Sequence, residues 1–175
     1  TNRADGPGSI PDDLLTSIVE SHLSELAATA GRRGEHDIEA VIEELRDIMW
    51  EHTGILRDEA SLREGLERLE VVREKAKNVD IGGVTSRSFE FAIDLGFMLT
   101  AAETVLRGAL ERTESRGAHY RTDCPEIDPG WRQNVHFERA DIGRIISYTE
   151  PVDAPGKAVQ AALDAGYELD YHQLE

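Results

Sequence analysis

The chain has 175 residues, of which 39% are apolar and 31% charged; this balance predicts one folded domain and excludes a disordered chain or a membrane protein. Acidic residues number 35 against 19 basic ones, and the net charge of −16 argues against nucleic acid as a partner. Only three basic residues are lysines, and acidity with scarce lysine indicates adaptation to high salt. The single cysteine, Cys124, allows no internal disulfide, which favours a reducing cytoplasm.

A loop and two amphipathic helices come first in chain order. We expect residues 1–10 to be a loop because Gly and Asp are frequent there. Apolar residues then recur every three or four positions, which predicts a helix from Pro11 that ends at Gly31 or Gly34. A second helix follows, with Asp37 as its N-cap. Its apolar stripe consists of Ile38, Val41, Ile42, Leu45, Ile48 and Met49.

Two further helices complete the predicted bundle. The third begins near Asp58, and the fourth runs from about Thr85 or Ser86 to Arg116 with Gly117 as its left-handed C-cap. The fourth is apolar over more than one face, so we expect it in the middle of the bundle. Its apolar residues are Phe89, Ala92, Ile93, Phe97, Met98, Ala101, Ala102, Val105, Leu106 and Leu110. The prediction for residues 11–117 is an all-α, antiparallel bundle of three or four helices, similar to a spectrin repeat.

Prolines and short alternating runs replace the helical periodicity after Gly117. We expect residues 118–155 to form an extended arm, or a short two-stranded β-ribbon around residues 141–143, that packs on the bundle. A short helix that ends at Gly166, followed by a tail, accounts for residues 156–175.

The densest group of chemically capable side chains lies where the fourth helix meets the arm. Arginine guanidinium groups, a histidine and carboxylates together can hold an anion or polarise the carbonyl group of a substrate. A helix C-terminus is electrostatically unfavourable for anions, so the residues alone favour a structural network that fixes the turn and the arm. The candidate residues are Arg112, Glu114, Arg116, His119, Arg121, Asp123 and, further along, Trp131.

Two enzyme-like arrangements are less well supported by the sequence. His119, Cys124 and His136 do not have the spacing of a recurring metal site, so we expect no metal. Ser115, His119 and Asp123 are the residue types of a nucleophilic catalytic triad. A serine one turn from a helix end, however, lacks the strained strand-to-helix turn that exposes a nucleophile, and no oxyanion donors are evident.

Other notable residues favour packing roles. His22 and His52 lie on apolar stripes and are expected to be hydrogen-bonded histidines at the edge of the core. Trp50 and Trp131 are expected to be packing residues, although Trp50, on the polar side of its helix, also suits contact with a partner domain. The most apolar stretch, residues 88–110, contains several charged residues and predicts a buried helix rather than a membrane span.

Two blocks of sequence resemble a known family. The first is residues 45–50 (Leu-Arg-Asp-Ile-Met-Trp) with residues 54–57 (Gly-Ile-Leu-Arg) shortly after; the second is residues 112–125 and the trailing Trp131. Together they resemble the C-terminal helical domain of the flavoprotein subunits of succinate dehydrogenase and fumarate reductase, a family that includes L-aspartate oxidase. The similarity covers roughly residues 11–152.

The resemblance implies an oxidoreductase of the tricarboxylic acid cycle and electron transport that passes hydride between succinate and fumarate through FAD. It places FAD and substrate in a flavin-binding domain of the same full-length chain, and no Gly-x-Gly-x-x-Gly motif follows a predicted strand here. We therefore expect no catalytic, cofactor-binding or metal-binding residue in this sequence, no bound FAD and no activity of the chain alone. The motif residues and Trp50 are expected to be structural or interface residues.

The resemblance also implies partners and a location. The partners are the flavin-binding domain and an iron–sulfur subunit, and the location is the cytoplasm, on the cytoplasmic face of the membrane through partner subunits. The chain begins without methionine, which we interpret as a sign of a fragment of a longer protein. Two alternatives stay open: the C-terminal domain of an L-aspartate oxidase, and a stand-alone helical interaction module without enzyme activity.

Overall fold

A computed structural model describes residues 11–140 and 144–166. The chain divides into two compact units, the first ending at Ile127 and the second beginning at Asp128. The predicted N-terminal loop, the centre of the predicted ribbon at residues 141–143 and the predicted tail lie outside the described residues.

Four helices dominate the first unit: α1 (Asp12–Thr29), α2 (Ile38–Thr53), α3 (Glu59–Ala76) and α4 (Arg87–Glu111). The side chains of Asp37, Asp58 and Ser86 accept hydrogen bonds from the backbone N–H groups at the starts of α2, α3 and α4. Each side chain satisfies one amide that has no partner within its helix. The starts predicted from these residues are confirmed.

The core lies between α2, α3 and α4. Glu44 pairs with Lys75 at 2.7 Å and Glu51 with Arg68 at 2.5 Å, so residue numbers rise along α2 as they fall along α3 and the two helices are antiparallel. Half of the buried apolar residues come from α2 and α3, and most of the others come from α4. The core residues are Ile38, Val41, Ile42, Leu45, Ile48, Leu62, Leu69, Val72, Val79, Ile81, Phe89, Leu95, Leu99, Ala102, Leu106 and Ala109.

Helix α1 forms as predicted but contributes nothing to this core. Gly31, with a φ of +74°, follows its last turn, as expected for a helix terminator. No residue of α1 is buried. Its large apolar side chains are exposed: Leu14, Leu15, Ile18, Val19, Leu23 and Leu26. The bundle of the described residues therefore has three helices.

The predicted end of the fourth helix and the role of Gly117 are wrong. Helix α4 ends at Glu111, and the backbone of Arg112 is extended. Gly117, with a φ of +59°, lies in a two-residue turn in which Arg116 and His119 exchange backbone hydrogen bonds of 2.8 and 3.1 Å. Glycine is favoured in such a turn because one position requires a positive φ. The positive φ was predicted, but it serves a hairpin and not a helix cap.

The predicted central position of the fourth helix is also only partly correct. One face of α4, including Leu99 and Leu106, is buried, whereas Phe97 is 72% exposed and Val105 is exposed. The additional apolar face of α4 is therefore surface.

Two short strands close the first unit. Strand β1 (Leu56–Arg57) pairs in parallel with β2 (Tyr120–Arg121), so residues 118–127 are part of this unit. The pairing joins the segment after α2 to the segment after α4.

The second unit contains the predicted ribbon and the predicted short helix. Strands β3 (Gln133–Arg139) and β4 (Ile145–Pro151) pair antiparallel, and the rings of His136 and Tyr148, at paired positions, stack with centroids 5.1 Å apart. Helix α5 (Lys157–Asp164) is followed by Gly166 with a φ of +69°. In the part of the chain that is described, no helix is both long and apolar enough to cross a membrane.

Candidate functional site

The two sequence blocks of the predicted motif meet at the β1–β2 pair. Arg57 lies opposite Arg121 in the register, and the backbone N–H of Thr122 donates to the carbonyl of Arg57 at 2.8 Å. The site is built where these strands meet the C-terminal end of α4.

Arg121 is the central side chain of the site and is only 1% exposed. Its Nε and Nη2 donate to the two carboxylate oxygens of Asp123 at 2.7 and 2.6 Å. Its Nη1 donates to the carbonyl oxygens of Ala109 and Leu110 at 3.0 and 3.2 Å, in the last turn of α4. A cation is favourable there because the helix C-terminus carries partial negative charge. Arg121 thus performs the capping role that the sequence suggested for Gly117.

The Arg121–Asp123 pair also connects α4 to α3. The second oxygen of Asp123 accepts a hydrogen bond of 2.9 Å from the backbone N–H of Glu59, the first residue of α3. The hydrogen bond from Arg121 is the largest cause that lowers the pKa of Asp123 far below its usual range, and the N–H of Glu59 acts in the same direction. The charged pair therefore fixes the end of one helix against the start of another.

A second buried carboxylate holds the hairpin turn. Glu114 is 0% exposed and accepts hydrogen bonds from Arg112 Nη1 at 2.7 Å and from Arg116 Nε and Nη2 at 2.8 and 3.0 Å. Two arginines around one carboxylate compensate for its burial. The Ser115 hydroxyl bonds backbone groups of Arg121 and Cys124, so it is part of this scaffold and is not paired with an imidazole.

His119 connects the two sequence blocks through its ring. Its Nδ1 lies 3.0 Å from Arg57 Nη1, and its Nε2 lies 3.1 Å from the carbonyl oxygen of Arg112. Since a guanidinium only donates, Nδ1 accepts and the proton is on Nε2, which describes a neutral ring. Burial lowers the pKa of His119, and the charges of Arg57, Arg121 and Arg112 lower it further against the effect of the Arg112 carbonyl.

An apolar groove of about 660 Å³ adjoins this network. It lies along α2 and α4 and extends to Ala118 of the hairpin turn. Trp50, 85% exposed, and Ile55, 82% exposed, are among its walls. The other residues that line it are Leu45, Arg46, Met49, Thr53, Gly54, Arg57, Met98, Ala101, Ala102 and Val105. Exposed aromatic and aliphatic side chains that form one surface are typical of a protein contact.

The structure brings most, but not all, of the predicted site residues together. Six of them form the network around Arg121: Arg112, Glu114, Arg116, His119, Arg121 and Asp123. Trp50 lies in the adjoining groove, whereas Trp131 belongs to a short 3₁₀ helix (Pro129–Trp131) of the second unit.

The two histidines that the sequence placed on apolar stripes, His22 and His52, have different surroundings. His52 is buried in the core and lies 3.0 Å from the Ser61 hydroxyl and 3.1 Å from Arg68, so it is a hydrogen-bonded core histidine. The expected position of His22 at the edge of the core is wrong: His22 is exposed on α1, which has no buried residue, and bonds the carbonyl of Ile18 at 2.8 Å. Within residues 11–140 and 144–166, no three His, Cys, Asp or Glu side chains form a cluster suited to a metal ion.

Sequence reasoning did not identify Arg57 as a site residue or the groove as a feature. Arg57 stood in the first block only as part of the pattern, because nothing in the sequence shows that it meets His119. A signal for the groove was present in the excess of apolar residues on α4.

Known proteins are similar to this chain in sequence and in fold. A family described as fumarate reductase flavoprotein C-term matches residues 42–157. The chain is 37% identical over 125 residues to an uncharacterized FAD-dependent oxidoreductase of Methanocaldococcus jannaschii, covering 67% of this chain and 23% of that protein. It is 46% identical over 104 residues to the L-aspartate oxidase of Pyrococcus furiosus, covering 59% of this chain and 17% of that protein.

A solved structure of a fumarate reductase flavoprotein also matches this chain. The FrdA chain of a variant of E. coli quinol fumarate reductase matches with a TM-score of 0.74 and 25% identity, over 87% of this chain and 28% of that chain. The present chain thus spans less than a third of each of these three proteins. With the family match extending over more than half of its residues, this chain belongs to the C-terminal domain family of the fumarate reductase flavoproteins.

Proposed function

We propose that this chain is the scaffold domain of an FAD-dependent oxidoreductase that interconverts succinate and fumarate. The observation that carries the proposal is the groove of about 660 Å³ with the exposed Trp50 in its wall, in the part of the chain that the family match covers. An exposed apolar surface of this size is unusual on a chain with 35 acidic residues. Such a surface is typical of a site that another domain covers. FAD, substrate and catalytic residues belong to that other domain.

The arginine network supplies the rigidity that a scaffold needs. Buried Arg121 and Glu114 hold the hairpin and the ends of α3 and α4, and Arg57 joins the same network at the edge of the groove. All six network residues are occupied by hydrogen bonds within the chain. This arrangement supports a positioning role and assigns none of them to catalysis.

The wider setting follows from the same proposal. An iron–sulfur subunit would receive electrons from the flavin, and the location would be the cytoplasm, at the membrane through partner subunits. The charge of −16 with three lysines supports an origin in a salt-adapted organism.

The experiment is to produce the full flavoprotein that carries this chain and, in parallel, the 175-residue chain alone. We expect the full protein to bind FAD, seen as visible absorption, and to oxidise succinate or reduce fumarate. We expect the chain alone to be colourless and inactive. Flavin bound by the chain alone, or a full protein without flavin, contradicts the proposal.

L-aspartate oxidase is the second candidate, and the 46% identity with the Pyrococcus furiosus enzyme favours it. The same preparation assayed with L-aspartate separates the two, because an aspartate oxidase oxidises this amino acid, whereas a succinate dehydrogenase acts on succinate, which has no amino group. A chain that is functional without any flavin domain supports the stand-alone interaction module instead.

A further inference from the structure

The groove differs in charge from the rest of the molecule. The whole chain carries 35 acidic and 19 basic residues. The residues that line the groove nevertheless include two arginines, Arg46 and Arg57, and neither Asp nor Glu. An apolar surface with only positive charge in its walls selects an apolar partner that carries negative charge.

The two arginines of the groove are not equivalent. Arg46 is ion-paired with Glu43, one turn earlier in α2, so a carboxylate of this chain already compensates its charge. Arg57 donates from Nε to the carbonyl of Gly54 at 2.9 Å and from Nη1 to the neutral His119 at 3.0 Å. Among the described residues, no carboxylate lies within 4.0 Å of the Arg57 side chain.

An uncompensated guanidinium is unfavourable once it is removed from water. Arg57 is partly buried in this chain, and a domain that fills the groove buries it further. Burying a charge without an opposite charge costs more than the contacts around it provide. The second Nη nitrogen of Arg57 also retains donors for an acceptor that approaches from the groove.

From this combination we infer that a carboxylate of the flavin-containing part of the same protein pairs with Arg57 when an apolar segment of that part fills the groove. The inference rests on the proposed function, since it supplies the recognition contact for that docking. His119 is a positioning residue in this pairing: its Nδ1 holds one Nη1 hydrogen and so orients the guanidinium.

Coverage of the groove is measured first, by hydroxyl-radical footprinting with mass spectrometry on Trp50. We expect Trp50 to be oxidised rapidly in the 175-residue chain alone and to be protected in the full flavoprotein. Equal oxidation in both contradicts the docking face in the proposed function, and this inference with it.

The carboxylate is then captured in the full flavoprotein through Arg57→Lys and a water-soluble carbodiimide, which joins an amine to a carboxylate in direct contact. We expect a peptide containing position 57 to be joined to an Asp or Glu outside these 175 residues. Arg46→Lys is the matched control and should join to Glu43 within the chain. With Trp50 protected, a position 57 that joins to no carboxylate, or to one of this chain, overturns the inference and leaves the proposed function standing.

Arg57→Gln provides a second test that does not depend on cross-linking. Glutamine keeps an N–H donor for His119 but removes the positive charge. We expect Trp50 to lose its protection in the full flavoprotein, while circular dichroism shows that the isolated variant chain still folds. Full protection of Trp50 in this variant contradicts the inference.

Discussion

At the scale of single residues, the site depends on charged side chains that are buried and compensated. Arg121 has all three of its nitrogens engaged, by Asp123 and by carbonyls of α4. The sequence identified both residues as members of a network. It did not show that the arginine caps a helix, because the capping bonds join residues eleven and twelve positions apart in a direction set by the hairpin.

Arg121→Met should lower the free energy of unfolding by about 3 kcal/mol, since it leaves Asp123 and two helix carbonyls without their donor. Urea denaturation of the isolated chain measures this. The matched control is Arg63→Met, which breaks an exposed ion pair with Glu59 and should cost less than about 0.5 kcal/mol. Similar losses in the two variants would show that Arg121 is not a structural centre.

Stability should also depend on pH through His119. Its pKa is lowered in the folded chain, so below pH 6.5, the ordinary value, the unfolded chain binds a proton that the folded chain does not. Stability therefore falls as the pH falls through this window. We expect the urea midpoint to decrease from pH 7.5 to 5.5, and to decrease less in His119→Gln, which keeps a donor to the Arg112 carbonyl. An identical decrease in both proteins would assign the effect to other groups.

At the scale of elements, close contact between helices decides which positions of the bundle tolerate change. A Cβ added at Gly65 of α3 would lie 2.8 Å from His52 Cβ on α2 and 2.8 Å from Leu106 Cδ2 on α4. Gly65 is therefore where the three helices approach most closely among the glycines of the bundle. Helical periodicity places this position on the buried face but does not predict the distance, which depends on how the helices cross.

Gly65→Ala should destabilise the chain by about 1–3 kcal/mol because the added methyl overpacks the core. Gly96→Ala in α4 is the control, since a Cβ there meets nothing within 4 Å. Alanine should be neutral or stabilising at that position, by up to about 1 kcal/mol, because it is the better helix former. Thermal unfolding followed by circular dichroism compares them, and an unchanged melting temperature for Gly65→Ala would contradict the close packing.

At the scale of the whole molecule, an apolar helix face was a poor guide to burial. Helix α1 and the outer face of α4 are both apolar, yet the residues on them, including Leu23 and Phe97, are exposed. The core uses the inner faces of α2, α3 and α4, together with Val79 and Ile81 from the segment between α3 and α4. An apolar helix face packs equally well against its own bundle or against another domain, and its composition is the same in both cases. The sequence of this chain therefore does not distinguish a face of the core from a docking face.

Leucine substitutions should separate the two kinds of surface. Leu62→Ala, at a fully buried position of α3, should cost about 2–5 kcal/mol. Leu23→Ala, on exposed α1, should change the stability of the isolated chain by less than about 0.5 kcal/mol. Urea denaturation of both variants is the measurement. A large loss for Leu23→Ala would show that α1 is part of the cooperative core.

The sequence by itself determined the helices, their approximate starts, the ribbon and the family, because these depend on local periodicity, on short-range hydrogen bonding and on the order of residues in a motif. Only the tertiary structure decided that α4 ends at Glu111, that Gly117 turns a hairpin and that Arg57 meets His119. These features join segments up to 62 positions apart. Local preferences contain no information about such contacts, since packing and the burial of charge select them after the helices have formed.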